Sequence, residues 1–135
     1  MAYQKKIPPS LNCGLDVLGE VLYGKWKIRL LYFIDQGHKR PGELQRQIPD
    51  ASRRVLNMQL NELEAHGLIT KKIFPQLPPK VEYSLTTLGL SLMPVINALG
   101  LWGDTHRERL SKAIRTAALN NGNSSTADEA ATESA

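Results

Sequence analysis

The chain has 135 residues, 41% of them hydrophobic and 22% charged, with a mean hydropathy of −0.30. This composition suits one soluble core and excludes a barrel enzyme, a large two-domain enzyme, a membrane protein and a disordered chain. All 17 Lys and Arg lie at or before Arg115, whereas three of the 13 acids, Asp128, Glu129 and Glu133, lie after it, so the body carries +7 and the tail −3. Such a body is suited to a polyanionic partner, although many basic domains are merely soluble.

Residues 1–10 contain Lys5 and Lys6 and then Pro8 and Pro9. They read as a flexible arm and lack the apolar run of a secretory signal. The single cysteine, Cys13, excludes an internal disulfide and every paired-cysteine motif, and it fits a reducing, cytoplasmic setting. Asp16 is placed to cap a short helix carrying Val17, Leu18, Val21 and Leu22, which Gly24 interrupts or ends. A second helix through Ile28, Leu31 and Ile34 stops at Gly37. Pro41 at a first helical position and Glu43 in the first turn open a short helix holding Leu44 and Ile48, closed by Pro49. Ser52 is a good N-cap for the next helix, which runs to Gly67.

Beyond Gly67 the pattern changes. Leu68, Ile69 and Phe74 precede a loop with Pro75, Pro78 and Pro79, and Val81, Tyr83 and Leu85 alternate after it, which predicts a hairpin with a proline-stiffened tip. Thr86 or Thr87 then caps a last long helix. Its stripe of Leu88, Leu92, Val95, Leu99 and Trp102 has the four-and-three spacing of a helix-packing seam, and Pro94 predicts a kink. Between Tyr83 and Gly103 no charge occurs, but Ser84, Thr86, Pro94 and Asn97 break the apolar run below the ~18 residues of a membrane span. Residues 116–135 read as a disordered acidic tail, leaving residues 11–115 as the folded region.

The predicted class is mainly α with a small β-hairpin wing. Short helix, turn, longer helix and hairpin is the order of a winged helix-turn-helix. At about 100° per residue, Leu56, Leu60 and Leu63 fall on one side of the fourth helix and Arg54, Asn57, Met58 and Asn61 on the other. Arg54 can fork onto guanine, Asn57 or Asn61 can pair with adenine, and Met58 can touch a thymine methyl. Arg53 at the flank, with Ser52 at the helix start, suits phosphate. Lys71, Lys72 and Lys80 of the hairpin would reach a neighbouring phosphate or minor groove, and Lys25 and Arg40 at helix starts are lesser phosphate candidates. The plainer alternatives are a solvated helix face and lysines that protect a strand edge.

Catalysis has no support in the motifs. There is no dinucleotide fingerprint, phosphate loop, zinc-protease helix or nucleophile elbow, and His38, His66 and His106 lack metal-ligand spacing. No catalytic residue, metal or cofactor is therefore assigned. A winged-helix protein-interaction module without sequence-specific DNA binding is the competing class.

Seven segments in order carry a family resemblance: Cys13, Gly24-Lys25-Trp26, Arg40-Pro41-Gly42-Glu43-Leu44, Ser52 to Leu56, Leu60-Asn61-Glu62-Leu63-Glu64, Gly67-Leu68, and Pro78-Pro79-Lys80-Val81-Glu82-Tyr83-Ser84-Leu85-Thr86. Over about Cys13 to Gly103 the chain resembles the HxlR-type winged-helix regulators of the MarR-like group. The resemblance implies a homodimer, joined largely by its first and last helices, on a pseudo-palindromic operator of double-stranded DNA. Leu88, Leu92, Val95, Leu99 and Trp102, with Val17 and Val21, are then the candidate dimer surface, and intramolecular core is the alternative for each. It also implies a small-molecule or oxidant effector, because the matching cysteine senses oxidants, quinones or aldehydes in some relatives. Cys13 is the candidate sensor here, with a small buried hydrophobe as its alternative. Two departures stand out: Pro41 replaces the family's usual aromatic, and Asn57-Met58 replaces the common Thr-Gln in the recognition helix.

Overall fold

The computed structural model describes residues 11–124. In chain order it forms α1 (Gly14–Leu22), α2 (Lys27–Asp35), α3 (Pro41–Gln47), α4 (Arg53–Ala65), the strands β1 (Ile69–Phe74) and β2 (Lys80–Leu85), α5 (Thr87–Thr105) and α6 (Arg107–Ser124). The chain divides into two units, the first ending at Ile96 and the second beginning at Asn97, so the boundary falls inside α5.

Local chemistry explains most element ends. Pro41 occupies the start of α3, where a missing N–H costs no helical hydrogen bond. The Ser52 hydroxyl accepts the Val55 N–H at 3.1 Å and caps α4. Gly67 ends that helix with φ +77°, a conformation glycine adopts without a Cβ penalty. Thr86, not Thr87, caps α5: its Oγ1 accepts the Gly89 N–H at 3.0 Å and donates to the Gly67 carbonyl at 2.6 Å. At α1 the expectation needs correcting. Cys13 holds the N-cap position without a side-chain cap bond, and Asp16 lies within the first turn, where a carboxylate still favours the positive end of the helix.

The core of the first unit joins Leu30, Leu31 and Ile34 of α2, Leu44 of α3, Leu56, Leu60 and Leu63 of α4, Ile69 and Tyr83 of the hairpin, and Met93 and Ile96 of α5. Ile28, expected among these, is 37% exposed, and Lys27 is buried in its vicinity instead. The strands pair antiparallel, with Ile69 opposite Leu85 and Phe74 opposite Lys80. The Tyr83 N–H donates to the Lys39 carbonyl at 2.8 Å and ties the hairpin to the turn before α3. Gly89 allows α5 to start close to the α4–β1 turn, since a Cβ there would lie 2.1 Å from the Leu68 carbonyl oxygen.

The last helical region also departs from expectation. It is two helices, α5 and α6, with Pro94 inside α5 as expected. Helix α6 continues past Arg115 to Ser124, beyond the expected limit of the folded region, through Ala117, Ala118 and Leu119, which are good helix formers. The expected flexible arm over 1–10, and the part from 125 onward of the disordered tail expected over 116–135, lie outside the described residues. On α5, Met93 and Ile96 are buried whereas Leu88 is 57% and Val95 44% exposed, and Leu92 packs partly against the core. In the second unit Leu99 is 47% and Trp102 58% exposed.

Candidate nucleic-acid interface

The rear face of α4 sets what its front face presents. Leu56, Leu60 and Leu63 are fully buried, and between them Gln59 accepts the Trp26 N–H at 2.9 Å through Oε1. One turn further, Glu62 pairs with the buried Lys27 ammonium at 2.5 Å. Gly24, at φ +143°, brings its backbone so close that a Cβ would sit 3.2 Å from both the Gln59 and Lys27 side chains. Apolar burial and two polar anchors thus hold α4 against the α1–α2 junction.

With the rear occupied, Arg54, Asn57 and Asn61 are exposed on the opposite face and Met58 is half-buried. Two clefts lie where the hairpin meets α4 and the start of α3. One, of about 310 Å³, is lined by Arg53, Asn57, Asn61, Lys71, Tyr83 and neighbouring apolar atoms. The other, of about 400 Å³, gathers Arg40, Arg53, Gln76 and Lys80 beside Pro78 and Pro79. Arg53 lines both, a more central place than the flank predicted for it. Burial, helped by nearby Glu64 and opposed by Arg53, pushes the Tyr83 phenol above its ordinary pKa, so it stays a neutral hydroxyl.

Four of the cations, Lys25, Arg40, Lys72 and Lys80, are held by neighbours. Lys72 and Lys80 approach the Phe74 ring to 4.8 and 5.0 Å from its centroid, and Lys25 lies 4.9 Å from that of Trp26. Lys80 Nζ is 3.2 Å from Glu82, and Arg40 Nε is 3.8 Å from Glu43 and 4.0 Å from Glu82. Arg40, Arg53 and Lys80 therefore meet in one cleft, and Arg53, Asn57, Asn61 and Lys71 in the other. Ser52, Arg54, Met58, Lys25 and Lys72 line neither. Sequence reasoning missed Gln76, whose only signal was a polar residue between prolines. It also missed the rear anchors Lys27, Gln59 and Glu62, which look like surface residues until α2 is placed behind α4.

Cys13 is exposed at the start of α1, which corrects the buried-hydrophobe alternative. Among the described residues no three His, Cys, Asp or Glu are grouped to hold a metal, and no helix is long and apolar enough to cross a membrane.

The sequence and fold are similar to those of known proteins. Residues 21–111 match the HxlR-like helix-turn-helix family. The chain is 48% identical over 100 residues to the HTH-type transcriptional regulator YkvN of Bacillus subtilis, covering 74% of this chain and 85% of that protein. Among solved structures it is similar to the redox regulator HypR in its reduced form, with 39% identity and a TM-score of 0.70 over 74% of this chain and 99% of that one. It is also similar to the reduced transcriptional regulator YodB from B. subtilis, with 28% identity and a TM-score of 0.60 over 70% and 93%. Helix order, hairpin wing and sequence similarity agree, and the chain belongs to the HxlR-like helix-turn-helix family of DNA-binding transcriptional regulators.

Proposed function

We propose that the protein works as a homodimer on a pseudo-palindromic operator in double-stranded DNA, one α4 per half-site, with half-site centres about one helical turn or a multiple of it apart. The observation that carries this reading is the division of α4. Its leucines are buried, and Arg54, Asn57 and Asn61 remain exposed beside a hairpin bearing Lys71, Lys72 and Lys80. In the major groove Arg54 reads guanine, Asn57 or Asn61 reads adenine, and Met58 contacts a thymine methyl. Arg53, Arg40, Lys25 and the hairpin lysines take phosphates. Ser52 joins them, because a hydroxyl that accepts the Val55 N–H keeps its own proton to donate.

The dimer is joined through α1 and α5. Val17, Leu88, Val95, Leu99 and Trp102 are exposed apolar residues, and Val21 and Leu92 contribute their uncovered parts. The protein acts in the cytoplasm as a regulator and not as an enzyme, without metal or cofactor. An oxidant or electrophile adjusts DNA affinity at Cys13. The exposure of that thiol and the similarity to a protein described as a redox regulator support this part.

The test is selection of genomic DNA by the reduced protein, followed by footprinting and a salt titration of the best fragment. A two-fold symmetric footprint whose affinity falls steeply with salt is expected. Failure of both reduced and oxidised protein to select any DNA would transfer the reading to a protein-docking module. For the sensor, quinone or peroxide should change operator affinity in the native protein and leave Cys13→Ser unaffected. An equal response in the mutant removes Cys13 from the mechanism.

A further inference from the structure

The hairpin carries one acid, Glu82, and it sits among cations. Its Oε1 lies 3.2 Å from Lys80 Nζ and 4.0 Å from Arg40 Nε, and Glu82 faces Lys72 across the strand pair. Arg40 and Lys80 belong to the same cleft, which Arg53 also lines. One carboxylate oxygen thus stands between two cations in the place a phosphate oxygen would take to contact both. Glu82 and Lys80 are each more than a quarter exposed, so solvent and phosphate can reach the pair. Glu43 also lies near Arg40, at 3.8 Å, but it belongs to α3 and is shared with His38 at 3.9 Å.

We propose that Glu82 is an internal counter-ion that competes with the DNA backbone for Arg40 and Lys80, holding the protein's affinity for DNA below what its cations alone would give. The inference rests on the DNA-binding reading above. A phosphate arriving at this cleft must either displace the carboxylate or accept its repulsion. Both reduce the gain from neutralising that phosphate, because the cations were already partly neutralised in the free protein. The exposed position of the pair keeps the effect moderate. It also means that the acid restrains Arg40 and Lys80 without removing them from the surface.

Glu82→Gln keeps the side chain's size and removes its charge. The experiment measures binding to the selected operator and to a random duplex of equal length across a salt series, for the wild type, Glu82→Gln, Lys80→Ala and the Lys80→Ala/Glu82→Gln pair, with thermal melts to confirm folding. Glu82→Gln should bind both duplexes about three- to tenfold more tightly at low salt and steepen the slope of log K against log salt by up to about one phosphate equivalent. Part of that gain should vanish when Lys80 is already Ala, since the charge then has one cation fewer to neutralise. Unchanged or weaker binding by a folded Glu82→Gln overturns the inference and makes Glu82 a residue that orients Arg40 and Lys80. A gain of the same size with and without Lys80 also overturns it. Absence of salt-dependent binding by the wild type overturns the DNA-binding reading and this inference together.

Discussion

The segment from α2 to β2 and the helix α5 solve the same problem in opposite ways. In the first, each large apolar side chain that periodicity assigns to α4 is buried within one chain, and even the charged Lys27 is enclosed with a partner at 2.5 Å. In the second, the seam residues Leu88, Val95, Leu99 and Trp102 face outward, although their spacing is as regular as that of a core helix. The apolar stripe of α4 is closed within a single chain, whereas the seam of α5 leaves apolar surface to be covered. Periodicity reports that a helix has an apolar face. It does not report what covers that face.

The largest expected effect breaks the open region alone. If the proposed dimer forms through α5, introducing Leu99→Glu together with Trp102→Glu should dissociate it in sedimentation while the α2–β2 segment stays folded, and operator affinity should fall by about 10²–10⁴-fold as bivalent binding is lost. Unfolding instead of dissociation would show that these residues are needed within one chain. The closed region can be attacked separately through the Lys27–Glu62 pair, whose two ends differ in burial. Glu62→Met strands a buried ammonium and should cost about 3–5 kcal/mol in urea denaturation, whereas Lys27→Met leaves a Glu62 that can turn to water and should cost about 1 kcal/mol. Equal costs would contradict the burial assigned to Lys27.

Two smaller changes sharpen the contrast between fold and surface. Arg54→Ala should leave melting and association unchanged yet lose about 1–3 kcal/mol of discrimination at one base pair, read by comparing operator variants. Ser52→Ala touches both, because its hydroxyl caps α4. It should lower stability by about 1 kcal/mol in the same denaturation assay.

Much of this organisation was legible residue by residue. The Ser52 cap, the Pro41 start, the Gly67 stop and the period of Leu56, Leu60 and Leu63 are local rules, and local rules act within one turn of the chain. Asp16 was misplaced by the same reasoning because Cys13 and Asp16 both stand near the start of α1, and no side-chain cap bond forms there to decide between them. The hairpin lysines were visible as a group. Their restraint by Phe74, and the meeting of Lys80 and Arg40 at Glu82, were not, since Arg40 comes from another element about forty positions earlier.

The sequence by itself determined the order of elements from α1 to β2, the two faces of α4 and the basic character of the first 115 residues, because caps, periodicity and charge are properties of neighbouring residues. Only the tertiary structure decided that Lys27 and not Ile28 faces inward, that Gly89 must lack a side chain beside the Leu68 carbonyl, and that Arg53 stands between two clefts. Each of these depends on which distant backbone arrives at a given face. That arrival is settled by how the whole set of apolar and charged surfaces can be buried or paired together, which no short window of sequence contains.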